Sequence, residues 1–169
     1  MKPIDPWAGF SQLQECLGDG GVFLVSVDSQ GRANPMTIGW ALLGTVWRRP
    51  VLLVLVRPSR FTHHLIEESR EFAVCVPKRG ELREALEFCG TRSGRDLDKV
   101  AELGLALTPG REGRVPLLAE CDVHYECRVV AQTRLVPQGL LSHEIEGRYY
   151  AKGDLHTLFF GEIVAAWRA

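Results

Sequence analysis

Long hydrophobic runs are scarce in this chain. The longest unbroken apolar stretch, Val51 to Val56, is far too short to cross a bilayer, so no membrane association is expected. Net charge is nearly absent as well, at −1 with the basic residues scattered, which leaves no nucleic-acid footprint. There is no Cys-x-x-Cys pair, and the five cysteines make an odd count. Cys121 and Cys127 lie six apart in what reads as one strand, roughly 20 Å from each other, too far to bridge or chelate together. Cys75 in its apolar strand reads as a small hydrophobe, and Cys89 beside Gly90 reads as packing. His63 and His64 are neighbours on a predicted helix and point apart, so no metal site is expected. Repeats, linkers and low-complexity segments are missing too. Pro3, Asp5 and Pro6 stand where a secretory leader needs an apolar stretch, which predicts a cytoplasmic protein. A chain of 169 residues predicts one domain, 1–169.

What is present is mostly strand. Val22 to Val27, Arg32 to Trp40, Val51 to Val56, Glu71 to Val76, Ala119 to Val136 and Leu155 to Trp167 read as β, and so does Tyr149-Tyr150. Val51 to Val56 has no polar alternation, so both of its faces are expected to be buried. Helices are predicted over about Asp5 to Leu17, Arg60 to Arg70 (capped by Ser59 after Pro58), Glu81 to Phe88 and Asp96 to Leu103. His124 and His143 read as ordinary strand or loop residues. Short hairpins with inserted helices favour a mainly β, antiparallel barrel over a parallel βαβ sheet.

Three polar stretches interrupt this pattern: Asn34-Pro35-Met36-Thr37-Ile38-Gly39-Trp40, Ser59-Arg60-Phe61-Thr62, and Cys89 to Lys99. Strand parity puts Asn34, Met36, Ile38 and Trp40 on one face, an amide, a thioether and an indole that suit a flat ring. Taken alone, Met36, Ile38 and Trp40 read first as inward-facing core. The Ser59 helix has no acid in its first turn, while Glu67 and Glu68 sit in its later half. That order opposes the helix dipole unless another anion occupies the amino-terminal end, with Arg60 and Thr62 contributing. An ordinary Ser59 cap with Arg60 as a solvated charge accounts for it equally well. Ser93 and Asp96 have capping-box spacing, which leaves Arg92, Arg95 and Lys99 around Ser93-Gly94 unexplained. Gly94 would let a ligand approach the backbone.

In this order and spacing the three stretches resemble the flavin reductase-like family, the flavoredoxin branch of the FMN-binding split barrels, from about Gly21 to about Ala165. The resemblance implies an antiparallel Greek-key split β-barrel and a homodimer with FMN near the subunit interface. It implies FMN contacts from Asn34, Pro35, Met36, Thr37, Trp40, Arg60, Thr62, Ser93, Gly94, Arg95 and Lys99, with Arg95 alternatively structural. Gly153-Asp154-Leu155-His156 resembles the Gly-Asp-His element that class I flavin reductases place beside the nicotinamide, with an extra Leu155, and offers His156 as the catalytic candidate. Glu162 fits the family as a structural hydrogen-bonding residue. The implied activity is hydride transfer from NADH or NADPH to flavin. The rival is a flavoredoxin-type carrier that holds FMN and exchanges electrons with a protein redox partner. A third reading is a barrel binding another phosphorylated ring compound. Several members carry residues past the last strand; here the sequence ends at Ala169, so one wall of the site is expected to be missing or supplied by a partner subunit.

Overall fold

Two strands, Val22–Val27 (β2) and Glu71–Val76 (β6), bury nearly every side chain because each separates two cores. Along β2, Val22 and Leu24 join one apolar cluster, while Phe23, Val25 and Val27 join the other. Phe72, Val74 and Val76 of β6 belong to the first cluster, and Ala73 and Cys75 to the second. The computed structural model describes residues 1–169.

The remaining strands are Lys2–Pro3 (β1), Ala33–Ile38 (β3), Ala41–Val46 (β4), Arg49–Val56 (β5), Val123–Arg134 (β9) and Thr157–Arg168 (β10). A separate short pair is formed by Leu107–Thr108 (β7) and Leu117–Leu118 (β8). The main sheet runs in the order β3-β2-β6-β9-β10-β5-β4, with β1 on β10, and every pairing is antiparallel. Its two end strands follow each other in the chain through Gly39-Trp40 but are not hydrogen-bonded to each other. The sheet is therefore not closed, and the barrel is split beside Trp40. Helices Phe10–Gly18 (α1), Phe61–Ser69 (α2), Arg83–Thr91 (α3), Lys99–Leu103 (α4) and His143–Tyr149 (α5) are inserted between strands. Of these, α2 packs on β2, β3 and β6, and α3 on β2 and β3. The expected mainly β, antiparallel architecture with inserted helices is what the chain adopts.

Several local expectations need correction. Leu53 and Leu55 remain half-exposed while Val51, Leu52, Val54 and Val56 are buried, so the second face of this run is covered by this chain only at Val51. The helices lie over β2, β3 and β6, leaving the outer face of β4, β5 and β10 bare. Strand β4 was not read from the sequence, because its hairpin to β5 turns on Trp47 and Arg48, both left-handed (φ 52° and 60°) without a Gly or Asn. Tyr149-Tyr150 closes a helix instead of forming a strand: Ser142 caps α5 through Ile145 N–H, with Glu144 and Glu146 in the first turn, so His143 is helical. Cys121 precedes β9 and does not share a strand with Cys127, though all five thiols are free and buried.

Candidate functional site

Two cavities meet where the split end of the sheet faces the amino-terminal end of α2. The larger, about 400 Å³, is walled by Met36, Ile38, Trp40, Leu55 and His156, with Arg57 at its edge. The smaller, about 110 Å³, lies between Thr62 on α2 and the loop Arg92 to Arg95, with Lys99 also at its wall. Met36, Ser59 and Arg60 border both, so they form one cleft. Its volume falls in the range of small-molecule sites, roughly 300–1,000 Å³.

The smaller cavity is cationic without internal compensation. Arg60, Arg92, Arg95 and Lys99 surround it, and none forms an ion pair with a carboxylate. Lys99 is 4% exposed, and its ammonium reaches only the carbonyls of Cys89 and Arg92, each at 3.4 Å. Burial, with Arg60 adding to it, holds its pKa down from 10.5 to about 8. Helix α2 opens beside it with no acid in its first turn and no side chain capping its N–H groups. Ser59 is therefore not the expected cap. Its hydroxyl donates to Asp154 at 2.6 Å, and Arg60 holds the N-cap position. Ser93 and Asp96 form no capping box either. Ser93 Oγ accepts from Arg95 N–H, and α4 starts later, capped by Asp98.

Asn34 sits where the cavity meets the barrel. Its amide donates to Thr62 Oγ1 at 2.8 Å and to Ser26 Oγ at 3.2 Å, while its carbonyl oxygen is buried without a partner. Gly94 lies against that oxygen, where a Cβ would overlap it. Unpaired cations beside uncapped N–H groups at one helix start fit a ligand carrying an anionic phosphate.

Most of the sequence candidates meet in this cleft. Asn34, Met36, Arg60, Thr62, Ser93, Gly94, Arg95 and Lys99 border the smaller cavity, and Met36, Thr37, Trp40, Arg60 and His156 the larger. Pro35 lines neither. Thr37 has its hydroxyl committed to Leu86 O on α3, and Arg60 reaches Gly90 O. Arg95 is held by Ser59 O at 3.0 Å with its guanidinium 5.3 Å from the Phe61 ring, the structural role left open for it. Trp40 lies past the end of β3 at Ile38, yet it walls the same cavity as Met36 and Ile38. Its indole packs on Tyr149, at 4.9 Å, and on His156, at 5.1 Å. Cys89 is fully buried with its thiol pushed up to about 11, as packing requires. Glu162 accepts from Arg49 at 2.8 Å on the outer face.

Three participants carried no sequence signal. Arg57 donates to Tyr149 O at 2.8 Å and Asp154 O at 2.9 Å, and lies 5.2 Å from the Tyr150 ring centre. Tyr150 in turn meets His156 Nδ1 at 2.8 Å. Leu55 was read as core. The partners of Arg57 are more than 90 residues away, so no local pattern marks it.

The chain matches the description "Flavin reductase like domain" over residues 19–169. It belongs to the flavin reductase-like family. Among relatives, an uncharacterized protein of Archaeoglobus fulgidus is 34% identical over 133 residues, 79% of this chain and 64% of that protein. The present chain thus spans less than two thirds of that relative. The NADH-dependent FAD reductase of Streptomyces globisporus is 27% identical over 119 residues, 70% of this chain and 54% of that one. Among solved structures, the flavoredoxin of Desulfovibrio vulgaris (Miyazaki F) superposes with a TM-score of 0.69 at 25% identity, covering 88% of this chain and 69% of that one. For a flavin reductase-like chain the cleft described above is the natural candidate site. No helix is long and apolar enough to cross a membrane.

Proposed function

We propose that this flavin reductase-like protein binds FMN along the cleft, phosphate in the smaller cavity and ring system in the larger, and that NADH or NADPH is the hydride donor. The observation that carries the phosphate half is the set of four cations without a carboxylate partner at an uncapped helix start. Lys99 supplies the buried positive charge, and Thr62 and the first N–H groups of α2 supply donors. Met36, Ile38, Leu55 and Trp40 flank the ring and exclude water from it. When bound, flavin supplies the redox chemistry, accepting hydride and releasing electrons, while the protein provides position and electrostatics. His156 stands at the ring edge where a nicotinamide would stack. The name of the Streptomyces relative, an NADH-dependent reductase, supports this donor.

The carrier reading keeps one structural argument. Asp154 of the Gly-Asp-Leu-His element turns toward Ser59, so only His156 of that element faces the cleft. Likeness to a flavoredoxin supports it as well. Anaerobic addition of NADH or NADPH to the FMN-loaded protein separates the two: bleaching of the flavin band supports the reductase, and its absence with both nucleotides the carrier.

The bare outer face supports a homodimer. Leu53 and Leu55 pair with Phe160 and Leu158, Leu42 is 65% exposed beside Leu53, and Trp47 packs on Phe160. A contiguous apolar face of this kind marks an association surface. It adjoins the cleft through Leu55, so a second copy there would stand close to the flavin ring. The proposed assembly is a single-domain subunit paired through this face, working in the cytoplasm.

A further inference from the structure

His156 and Tyr150 are both buried, at 8% and 7% exposure, and their polar ends meet at 2.8 Å between the phenol oxygen and Nδ1. Nδ1 being taken, Nε2 is the ring nitrogen left to the cavity that His156 lines, and it has no protein partner. It is not sealed off either, since the enclosed unpaired atoms are those of Asn34, His124 and Tyr125. A neutral imidazole has one N–H and one bare nitrogen, so the Tyr150 contact decides which nitrogen faces the cavity with a proton.

A phenol is a better donor than acceptor, because its oxygen lone pair is delocalised into the ring. Arg57 strengthens that bias: its guanidinium lies 5.2 Å from the Tyr150 ring centre and makes the O–H more acidic. The same guanidinium is fixed by the carbonyls of Tyr149 and Asp154, so it clamps the turn that carries both partners. Every charged or titratable group around the imidazole bears on its charge. Burial and then Arg57 push its pKa down to about 4, and the Asp154 carboxylate opposes them while engaged by Ser59. Tyr150 is pushed upward by burial and keeps its proton; Tyr149 is held across Trp40, and Arg60 lies across the cavity.

We propose that Tyr150 is a positioning residue: its O–H donates to Nδ1 of His156 and so fixes a neutral imidazole whose Nε2–H donates into the larger cavity. The group it meets there is a carbonyl acceptor on a planar ring, and the carboxamide oxygen of a nicotinamide has that chemistry. The identity of the acceptor rests on the reductase reading; the tautomer does not. Burial and Arg57, with the Tyr150 hydrogen bond on Nδ1, make the donor independent of pH across the physiological range, where a solvent-exposed histidine would gain a proton on the acid side.

Long-range proton–nitrogen NMR spectra of the flavin-free protein read the tautomer directly, because bare and protonated ring nitrogens resonate far apart. His156 is expected with bare Nδ1 and protonated Nε2, unchanged from about pH 5.5 to about pH 8.5. In Tyr150→Phe both tautomers are expected, together with a titration moved upward toward that window. Protonated Nδ1 in the unmodified protein, or an unaltered tautomer in Tyr150→Phe, overturns the proposal. A second arm uses the FMN-loaded protein with NADH. Tyr150→Phe should slow flavin bleaching by about tenfold, the scale of one hydrogen bond, and make it pH-dependent. His156→Gln, whose amide N–H stands near the place of Nε2–H, should recover part of the rate that His156→Ala loses. Equal rates for the Gln and Ala variants contradict the donor role. If the unmodified protein is bleached by neither nucleotide, the reductase reading falls, while the spectra still decide the tautomer.

Discussion

Replacing Lys99 by methionine should stabilise the flavin-free protein while weakening flavin binding. The side chain is 4% exposed, and its ammonium has two long contacts to carbonyl oxygens and no anion. A pKa held down from 10.5 to about 8 means that the folded chain resists carrying that charge. At 1.36 kcal/mol per tenfold, the depression corresponds to roughly 3 kcal/mol at most, and solvent relaxation leaves about 1–3 kcal/mol. The direction follows from proton binding. Between about pH 8 and 10.5 the unfolded chain holds a proton that the folded one lacks, so flavin-free stability rises with pH there. Below about pH 8 the full cost is present. Lys99→Met, close in length and apolar, removes it, and thermal denaturation at pH 7 should show a melting point raised by roughly 3–9 °C. The gain should shrink as pH rises from about 8 and approach zero only above about pH 10.5, where the lysine is neutral in both states. FMN affinity should fall by about tenfold or more through loss of a charge-assisted contact. A flavin-free variant less stable than its parent at pH 7 would show that the carbonyls of Cys89 and Arg92 satisfy the ammonium, and would refute the reasoning.

Thr62→Ala should weaken FMN by about tenfold, because it removes a donor and frees the Asn34 amide, while Arg128→Ala, outside the cleft, should leave affinity unchanged in the same titration. Gly94→Ala should abolish measurable FMN binding and lower stability by about 1–3 kcal/mol, since the new Cβ overlaps Asn34 Oδ1; retained affinity in a fluorescence titration would move the ligand elsewhere. Leu53→Asp on the outer face of β5 should convert the proposed dimer to monomer in analytical ultracentrifugation, and an unmodified protein that is already monomeric would remove the dimer from the account.

The sequence carried the parts of the fold whose causes are local. Strands β2 and β6 announced themselves as apolar runs, and α2 by the break at Pro58-Ser59 before a helical pattern. Where a distant partner competes with a local rule, the reading failed. Ser59 looked like a cap, yet Asp154, 95 residues further on, captures its hydroxyl. Arg57 gave no local sign of its role, because its carbonyl partners lie more than 90 residues away. The Trp47-Arg48 hairpin lacks the glycine or asparagine that would have flagged it. Helix α5 did have a signal, Ser142 with Glu144 and Glu146 behind it, but the aromatic pair Tyr149-Tyr150 pulled the reading toward strand. The part of the cleft that comes from the three short stretches was legible because each is kept together by one loop or helix start, whereas Leu55 and Arg57 lie outside them.

The central claim is that a phosphate at the α2 start anchors the flavin. Calorimetric titration of flavin-free protein at pH 7 with FMN and with riboflavin, which differ only in that phosphate, tests it most directly. At a hundredfold excess over its dissociation constant FMN should stabilise the fold by about 2.7 kcal/mol, and riboflavin should bind at least about tenfold more weakly. Equal affinity for the two would contradict the account.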